Sequence, residues 1–303
     1  DVALFASDRM WLTEQLSILG GVRWENYSID YTQRTTAPTL ADPNPAANFS
    51  RSENADYVTP KVAVIFEPWR NQNFYVSYAE GAVPPGQLVT TTGGPLALAT
   101  PGLQVERTKT YEAGFKLNTA DSRIGFTGAV FQVTKNNALF TDPVTGDLTA
   151  TGERIRVEGV EAGITGAITN AWNLSIGYSY LDSKVLTSGT PANIGNEALG
   201  VARNNVSLWT TYNLSTLVNT GPGKLTVGGG VFYRDRVFAD NGNLNLIPSS
   251  FTFDGMLSYE WQKYRVALNM YNLTDELNYN TFNAGRAIPS AGRTVTVSGS
   301  VRW

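Results

Sequence analysis

The sequence predicts an all-β protein, a transmembrane antiparallel β-barrel of about thirteen strands. Three observations support this fold class: alternating apolar and polar side chains, alternating short and long connections, and tryptophans gathered at one end of the strands. The final segment, "RTVTVSGSVRW", shows the first of these, because Val295, Val297 and Val301 alternate with threonine and serine. Such an apolar strand face would promote aggregation in water. The pattern therefore predicts that lipid covers it.

Composition agrees with this class. The chain has 303 residues, of which 42% are hydrophobic and only 16% charged, with 14 Tyr, 13 Phe and 7 Trp. A formal charge of −3 gives no support to nucleic-acid binding, which needs a basic patch or stripe. No apolar run reaches the roughly 18 residues of a membrane-spanning helix. A mean hydropathy close to zero is typical of membrane barrels, because one face of each strand is polar.

The chain contains neither cysteine nor histidine. Their absence removes disulfides, thiolate nucleophiles, the commonest general base and the usual transition-metal ligand. The "GGG" at 228–230 is followed by no Lys-Ser/Thr pair, so it does not indicate a phosphate loop. The sequence therefore predicts no enzyme, no cofactor and no metal site.

Period-2 alternation gives the strand positions. "WNLSIGYSYL" places Leu174 and Ile176 on one face and Ser175 on the other. In the same way, alternation through "LTVGGGVFYRDR" places Arg234 and Arg236 on the polar face of their strand. The thirteen predicted strands lie near residues 2–8, 16–31, 57–67, 73–82, 107–118, 123–140, 154–169, 172–186, 203–214, 224–237, 250–261, 264–273 and 293–303.

The connections sort by length. Short turns alternate with long segments, which is typical of outer-membrane barrels with short periplasmic turns and long extracellular loops. The long segments are 32–56, 83–106, 141–153, 187–202, 238–249 and 274–292. An antiparallel β-sandwich is the alternative fold, but a sandwich does not sort its loops by end.

Aromatic residues also sort by end, as interfacial belts would require. Tryptophans lie at the short-turn ends, and these are Trp11, Trp69, Trp172, Trp261 and Trp303. Tyrosines lie toward the long-loop ends, and these are Tyr27, Tyr31, Tyr78, Tyr180 and Tyr233. Bacterial barrels have an even number of strands, so a count near thirteen predicts that further strands precede residue 1.

Several segments, in order, resemble the C-terminal half of TonB-dependent siderophore receptors. The matching segments are "LTEQLSILGGVRW" (12–24), "NFYVSYAEGAVPPG" (73–86), "VERTKTYEAGFKLN" (105–118), "RVEGVEAGITGAITNAWNLSIGYSYLDSKV" (156–185), "YNLTDELNYN" (271–280) and "GRTVTVSGSVRW" (292–303). Val105–Glu106 replaces the usual Pro–Glu, and Thr274 replaces the usual Phe. "NNVSLWTTYNL" and "VFADNGNLNLIPSSF" are similar to the subgroup that takes up ferric catecholates.

The resemblance implies a role and partners. Residues 1–303 would be the C-terminal portion of a 22-stranded barrel, with the N-terminal plug and first strands absent. The protein would be a receptor and transporter for ferric siderophores, energised by the TonB–ExbB–ExbD complex, in the outer membrane of a Gram-negative bacterium. Its other expected partners are outer-membrane lipids and the barrel assembly machinery, which would read Trp303 as a C-terminal signal. The alternative function is a passive porin or structural barrel.

The ligand-binding candidates are cationic, aromatic and amide side chains at the long-loop ends, because a ferric catecholate is an aromatic polyanion. They are Tyr31, Arg34, Arg51, Gln87, Arg203, Arg234, Arg236, Phe238, Asn280 and Arg286. Solvated loop charge or contact with lipopolysaccharide phosphates is the alternative interpretation. A second set is predicted to face the lumen, against a plug or a water-filled pore: Arg23, Lys61, Glu112, Lys116, Glu161, Arg265 and Arg302.

Overall fold

The structure is a computed structural model that describes residues 1–33, 49–84, 105–141, 148–282 and 286–302. One antiparallel sheet of thirteen strands forms most of it. Its strands are β1 (Val2–Trp11), β2 (Leu16–Gln33), β3 (Phe49–Phe66), β4 (Gln72–Val83), β5 (Glu106–Asn118), β6 (Ile124–Thr141), β7 (Leu148–Ala167), β8 (Trp172–Thr187), β9 (Asn204–Asn213), β10 (Lys224–Arg234), β13 (Ser250–Trp261), β14 (Tyr264–Tyr271) and β17 (Thr294–Val301). Four short strands form two separate hairpins: β11 (Val237–Phe238), β12 (Leu246–Ile247), β15 (Tyr279–Phe282) and β16 (Arg286–Pro289).

Strand order follows the chain from β1 to β10 and then continues through β13, β14 and β17, so β1 and β17 are the two edges of the described sheet. All thirteen predicted strands are present. Two of them begin earlier than predicted, β3 at Phe49 and β7 at Leu148. The residues at these early strand positions are polar and pair through their backbones. Because they include no alternating apolar side chains, the sequence pattern did not reveal them.

The two hairpins were not predicted. β15–β16 falls within the predicted long loop 274–292, and β11–β12 falls within 238–249 except for Val237, which was predicted to end the preceding strand. Strands of two to four residues are too short to show a period. Two 3-10 turns, Pro191–Asn193 and Leu214–Thr216, interrupt other connections. No helix in the described part of the chain is long and apolar enough to cross a bilayer.

The ladder register aligns apolar side chains from strand to strand into one continuous face. Residues that are directly opposite in antiparallel neighbours point to the same side of the sheet. One row across the middle of the sheet consists of Phe126, Ile164, Ile176, Leu208, Val231 and Phe253. Many side chains of this face are exposed in the chain alone, among them Val76 at 62% and Val297 at 72%. Exposure of this extent requires lipid as the solvent.

The other face is polar, and the prediction of a charged inner face is confirmed. All seven predicted residues lie on it, together with Ser175, which pairs with Trp209 and Thr165. Several of these charges are paired there. Arg23 forms an ion pair with Glu25 at 2.6 Å, and Arg302 with Glu260 at 3.2 Å.

The aromatic ends are confirmed in part. Trp11, Trp69, Trp172 and Trp261 lie at short connections, whereas Trp303 lies outside the described residues. Tyr78, Tyr180 and Tyr233 lie on the apolar face toward the long loops. The interfacial assignment of Tyr27 is wrong: it lies opposite Ala55 on the polar face, because its position has the parity of Arg23.

Candidate ligand-binding site at the long-loop end

The ten candidate residues fall into three groups. Arg203, Arg234, Arg236, Phe238 and Asn280 lie at the long-loop end with described side chains. The backbone alone is described for Tyr31, Arg51 and Arg286: Tyr31 is directly opposite Arg51 in the β2–β3 ladder, and Arg286 is opposite Phe282 in the β15–β16 hairpin. Arg34 and Gln87 lie outside the described residues.

Arg203 and Arg236 converge on one carboxylate. Arg203 Nη2 donates to Glu197 Oε1 at 3.0 Å, and Arg236 Nη2 lies 3.8 Å from the same oxygen. The Arg236 guanidinium also lies over the Phe238 ring, 5.2 Å from its centroid. Both arginines are nearly half exposed, at 44% and 46%. The group therefore presents two partly exposed guanidinium groups that share the Glu197 carboxylate, with the Phe238 ring beneath one of them.

Arg234 has a different environment. Its Nη2 donates to the Tyr279 backbone oxygen at 2.7 Å, and its Nη1 lies 3.5 Å from Asn280 Oδ1. Its Nε is buried and has no partner within the described residues. Arg234 thus ties the end of β10 to β15 and positions Asn280. Strand alternation places Arg234 but does not extend to Arg236, because β10 ends at Arg234.

Asp235, between these two arginines, fixes the local backbone. Its Oδ2 accepts from Asn204 Nδ2 at 3.0 Å, and its Oδ1 accepts from the Arg236 N–H at 2.9 Å. The Asn204 hydrogen bond is the main cause of a lowered pKa for the Asp235 carboxyl, with the Arg236 N–H adding to it. The ionised carboxylate thus fixes the backbone at Arg236.

The segments that carry the arginines are held by a buried polar network. Asn241 is 1% exposed; it accepts from the Leu199 N–H at 2.9 Å and donates to Glu153 Oε2 at 2.9 Å. Glu153, also 1% exposed, accepts from Ser188 Oγ at 2.7 Å through its other oxygen. The Glu153 carboxylate of β7 therefore links the segment before β9 to the segment after β10.

A small apolar cluster lies beside this network. Its buried members are Ala202, Val237, Ala239 and Ile247, with Tyr279 packed against them. These residues come from three different connections, so the cluster joins the β11–β12 and β15–β16 hairpins to the segment before β9. Packing and hydrogen bonds together hold Arg203, Arg236 and Asn280 in defined positions.

Sequence reasoning missed four residues of this site: Glu197, Asp235, Glu153 and Asn241. Only the Asn-rich run "ADNGNLN" (239–245) carried a signal, since asparagine and aspartate often bond nearby backbone groups. Asp240 does so, accepting from the N–H groups of Leu244 and Asn245. Within the described ranges, no group of three or more acidic side chains is arranged to hold a metal ion.

A sheet with one lipid-facing and one polar face, short turns at one end and long connections at the other, defines part of an outer-membrane β-barrel wall. The model of the family described as "TonB dependent receptor-like, beta-barrel" matches residues 1–273. The chain belongs to this family. Its members are receptors and transporters of the Gram-negative outer membrane, which confirms the predicted location and the prediction that the chain is not an enzyme.

Individual relatives agree with this assignment. The probable TonB-dependent siderophore receptor PiuA of Acinetobacter baumannii is 29% identical over 317 residues, covering 99% of this chain and 40% of PiuA. The catecholate siderophore receptor Fiu of Escherichia coli K12 is 26% identical (75% of this chain, 31% of Fiu). The ferrichrome outer membrane transporter/phage receptor of the same strain is 30% identical (76% and 30%). The PiuA crystal structure matches with a TM-score of 0.83 at 27% identity, covering 99% of this chain and 42% of that structure. The chain thus spans less than half the length of these relatives.

Proposed function

We propose that this chain forms the ligand-binding end of a receptor that takes up ferric siderophores, with catecholates as the preferred class and the TonB–ExbB–ExbD complex as the energy source. Iron enters as cargo inside the siderophore. The observation that carries the proposal is the convergence of Arg203 and Arg236 on Glu197, with Phe238 beneath Arg236.

The chemistry of this group fits the ligand. A ferric tris-catecholate carries several negative charges and flat aromatic rings. Guanidinium groups donate paired hydrogen bonds to anionic oxygens and stack on aromatic faces, so they suit both features. Glu197 and Asp235 balance the charges of the two arginines, but both guanidinium groups are nearly half exposed and keep N–H donors for the ligand. Because the loops are already packed, little ordering entropy opposes binding.

The relatives support the assignment as a siderophore receptor more strongly than they support the choice of catecholate as the ligand. All three are named for siderophore reception or transport, which gives the porin alternative no support. Fiu is named for catecholates, whereas the third relative is named for ferrichrome. The preference for catecholates therefore rests on the arginine and aromatic chemistry of the site.

The test is a binding titration of the full-length receptor with iron-loaded catecholate and hydroxamate siderophores. We expect Arg203→Gln combined with Arg236→Gln to weaken catecholate binding more than tenfold, about 1.4 kcal/mol. Arg70→Gln combined with Arg123→Gln removes two arginines from the short-turn end and should leave affinity unchanged. Arg234 is less suitable, because its loss would also release β15.

Two outcomes would revise the proposal in different ways. If the double variant binds catecholates like the parent, the ligand site lies elsewhere on the receptor. If the parent binds only hydroxamates, the catecholate preference is wrong and the receptor assignment stands.

A further inference from the structure

The longest connection at the short-turn end of the sheet joins β9 to β10. This β9–β10 turn runs from residue 214 to residue 223, whereas the other described connections at that end have five residues or fewer. None of its residues is charged, although two neighbouring short connections, 67–71 and 119–123, carry both acidic and basic side chains. At its tip, Leu217 is 67% exposed and Val218 is 56% exposed. The described part of the chain therefore leaves two adjacent aliphatic side chains uncovered.

The β9–β10 turn is held closed by its own hydrogen bonds. The hydroxyl oxygens of Ser215 and Thr220 lie 2.6 Å apart, and both hydroxyls donate to the Gly223 backbone oxygen, at 3.3 and 3.0 Å. The backbone N–H groups of the two tip residues both donate to the Leu214 oxygen, at 2.9 and 3.1 Å. Because these polar groups have partners within the turn, placing it in a less polar environment leaves fewer of them unsatisfied.

Tyr259 of β13 places the turn on the lipid side of the barrel wall. This tyrosine lies on the apolar face, since it is opposite both Leu225 and Val266. Its hydroxyl accepts from the Gly223 N–H at 3.0 Å and donates to the Thr220 backbone oxygen at 3.2 Å. A β-carbon at Gly223 would collide with the tyrosine ring, so only glycine allows this approach. The second limb of the turn therefore lies against a lipid-facing side chain.

The turn begins at the level of the headgroups. The first residue of β10, Lys224, is opposite Glu260, so this strand starts beside Trp261. The Trp261 ring stacks on that of Tyr264, with centroids 6.3 Å apart, and amphipathic rings of this kind mark the boundary between acyl chains and headgroups. Since the tip residues bond back to Leu214, the tip lies within about one helical turn of the end of β9. It therefore stays close to this boundary.

We propose that the β9–β10 turn is a membrane anchor that inserts Leu217 and Val218 among the phospholipid headgroups of the inner leaflet, with Tyr259 as the side chain that positions it. Continuity with the lipid-facing side of the wall favours this occupant over a plug, which would lie on the opposite, polar face. Burial of two aliphatic side chains at the headgroup boundary is favourable, and no charged side chain of the turn opposes it. This anchor does not depend on the proposed siderophore site.

The experiment uses the full-length receptor, with any other cysteine replaced by serine, in vesicles of phosphatidylethanolamine and phosphatidylglycerol. Leu217→Cys is labelled with the fluorophore NBD and exposed to two quenchers, a phospholipid with a spin label at the start of its acyl chain and aqueous iodide. We expect the lipid quencher to halve the emission and iodide to have little effect. The matched control is Ala120→Cys on the charged connection 119–123, where lipid quenching should be at least threefold weaker and iodide quenching strong.

Further variants test the individual steps. Tyr259→Phe removes the hydroxyl that holds the turn and should reduce lipid quenching of the label at 217 at least twofold, whereas Tyr264→Phe should leave it unchanged. Unchanged quenching in Tyr259→Phe would overturn the positioning role. If labelled Leu217→Cys does not migrate as a folded barrel, Val218→Cys repeats the measurement. A tip label that responds to iodide as strongly as the control and ignores the lipid quencher would overturn the anchor, because the tip would then lie in water, open to a periplasmic protein.

Discussion

The register of the sheet predicts a large difference between two adjacent residues of β8. Ile176 lies on the apolar face between Ile164 and Leu208, whereas Ser175 lies on the polar face. Trp172 and Tyr180 mark the two ends of the apolar stretch, and Ile176 lies midway between them. At about 3.3 Å per residue and a strand tilt near 40°, Ile176 is about 10 Å along the membrane normal from each aromatic end.

This depth sets the expected magnitude. An arginine at the bilayer midplane of a barrel costs roughly 2–4 kcal/mol and far less near the interfaces. Ile176→Arg should therefore lower the free energy of unfolding by that amount, and Ser175→Arg, which reaches the polar side, by much less. Denaturant titration of the full-length receptor in lipid vesicles, followed by tryptophan fluorescence, measures both. Equal losses at the two positions would refute the assignment of faces.

Three further predictions concern the ends of the barrel. Trp303→Ala should reduce the amount of folded, heat-modifiable receptor in outer-membrane fractions without changing siderophore affinity, if the barrel assembly machinery reads the terminal aromatic; normal amounts would argue against that role. Glu153→Ala leaves the Asn241 amide without its buried acceptor, so it should cost about 1–3 kcal/mol of local stability, seen as faster amide exchange at Leu199; unchanged exchange would contradict the network. Asp235 has a lowered pKa in the folded protein, so its ionised carboxylate stabilises the fold at pH values above its unfolded pKa of about 4. This stabilisation is lost as the pH falls through the folded pKa. Siderophore affinity should fall in that acid range, and Asp235→Asn should remove this part of the pH dependence.

The wall of the barrel could be predicted from sequence because one simple rule governs it. Each strand must present an apolar face to lipid over its whole crossing, so alternation is strict in segments such as "WNLSIGYSYL". Side chains beyond the bilayer have no such constraint. The early start of β3 at Phe49 and the short β11 therefore left no periodic signal.

The candidate site was predictable in kind but not in detail. A need for cations and aromatic rings at the long-loop end identified Arg203, Arg236 and Phe238. The two arginines lie on one carboxylate, and the Arg236 guanidinium lies over the Phe238 ring. That carboxylate, Glu197, was missed because ion pairing across two connections depends on how the loops fold. The different role of Arg234 was missed for the same reason, since its partner Tyr279 is 45 residues away.

Among the described residues, the strand ladders shift register at three points, and all of them lie on the long-loop side. Two shifts lie in the β6–β7 ladder, between Lys135 and Ala138 and between Ala138 and Phe140, and one lies in the β7–β8 ladder, between Arg154 and Ile155. A single inserted residue inside the bilayer would turn every following side chain to the opposite face, whereas one beyond these bulges is absorbed. Insertions and deletions in the long connections therefore leave the lipid-facing register intact, whereas the membrane-embedded part tolerates no change in residue count.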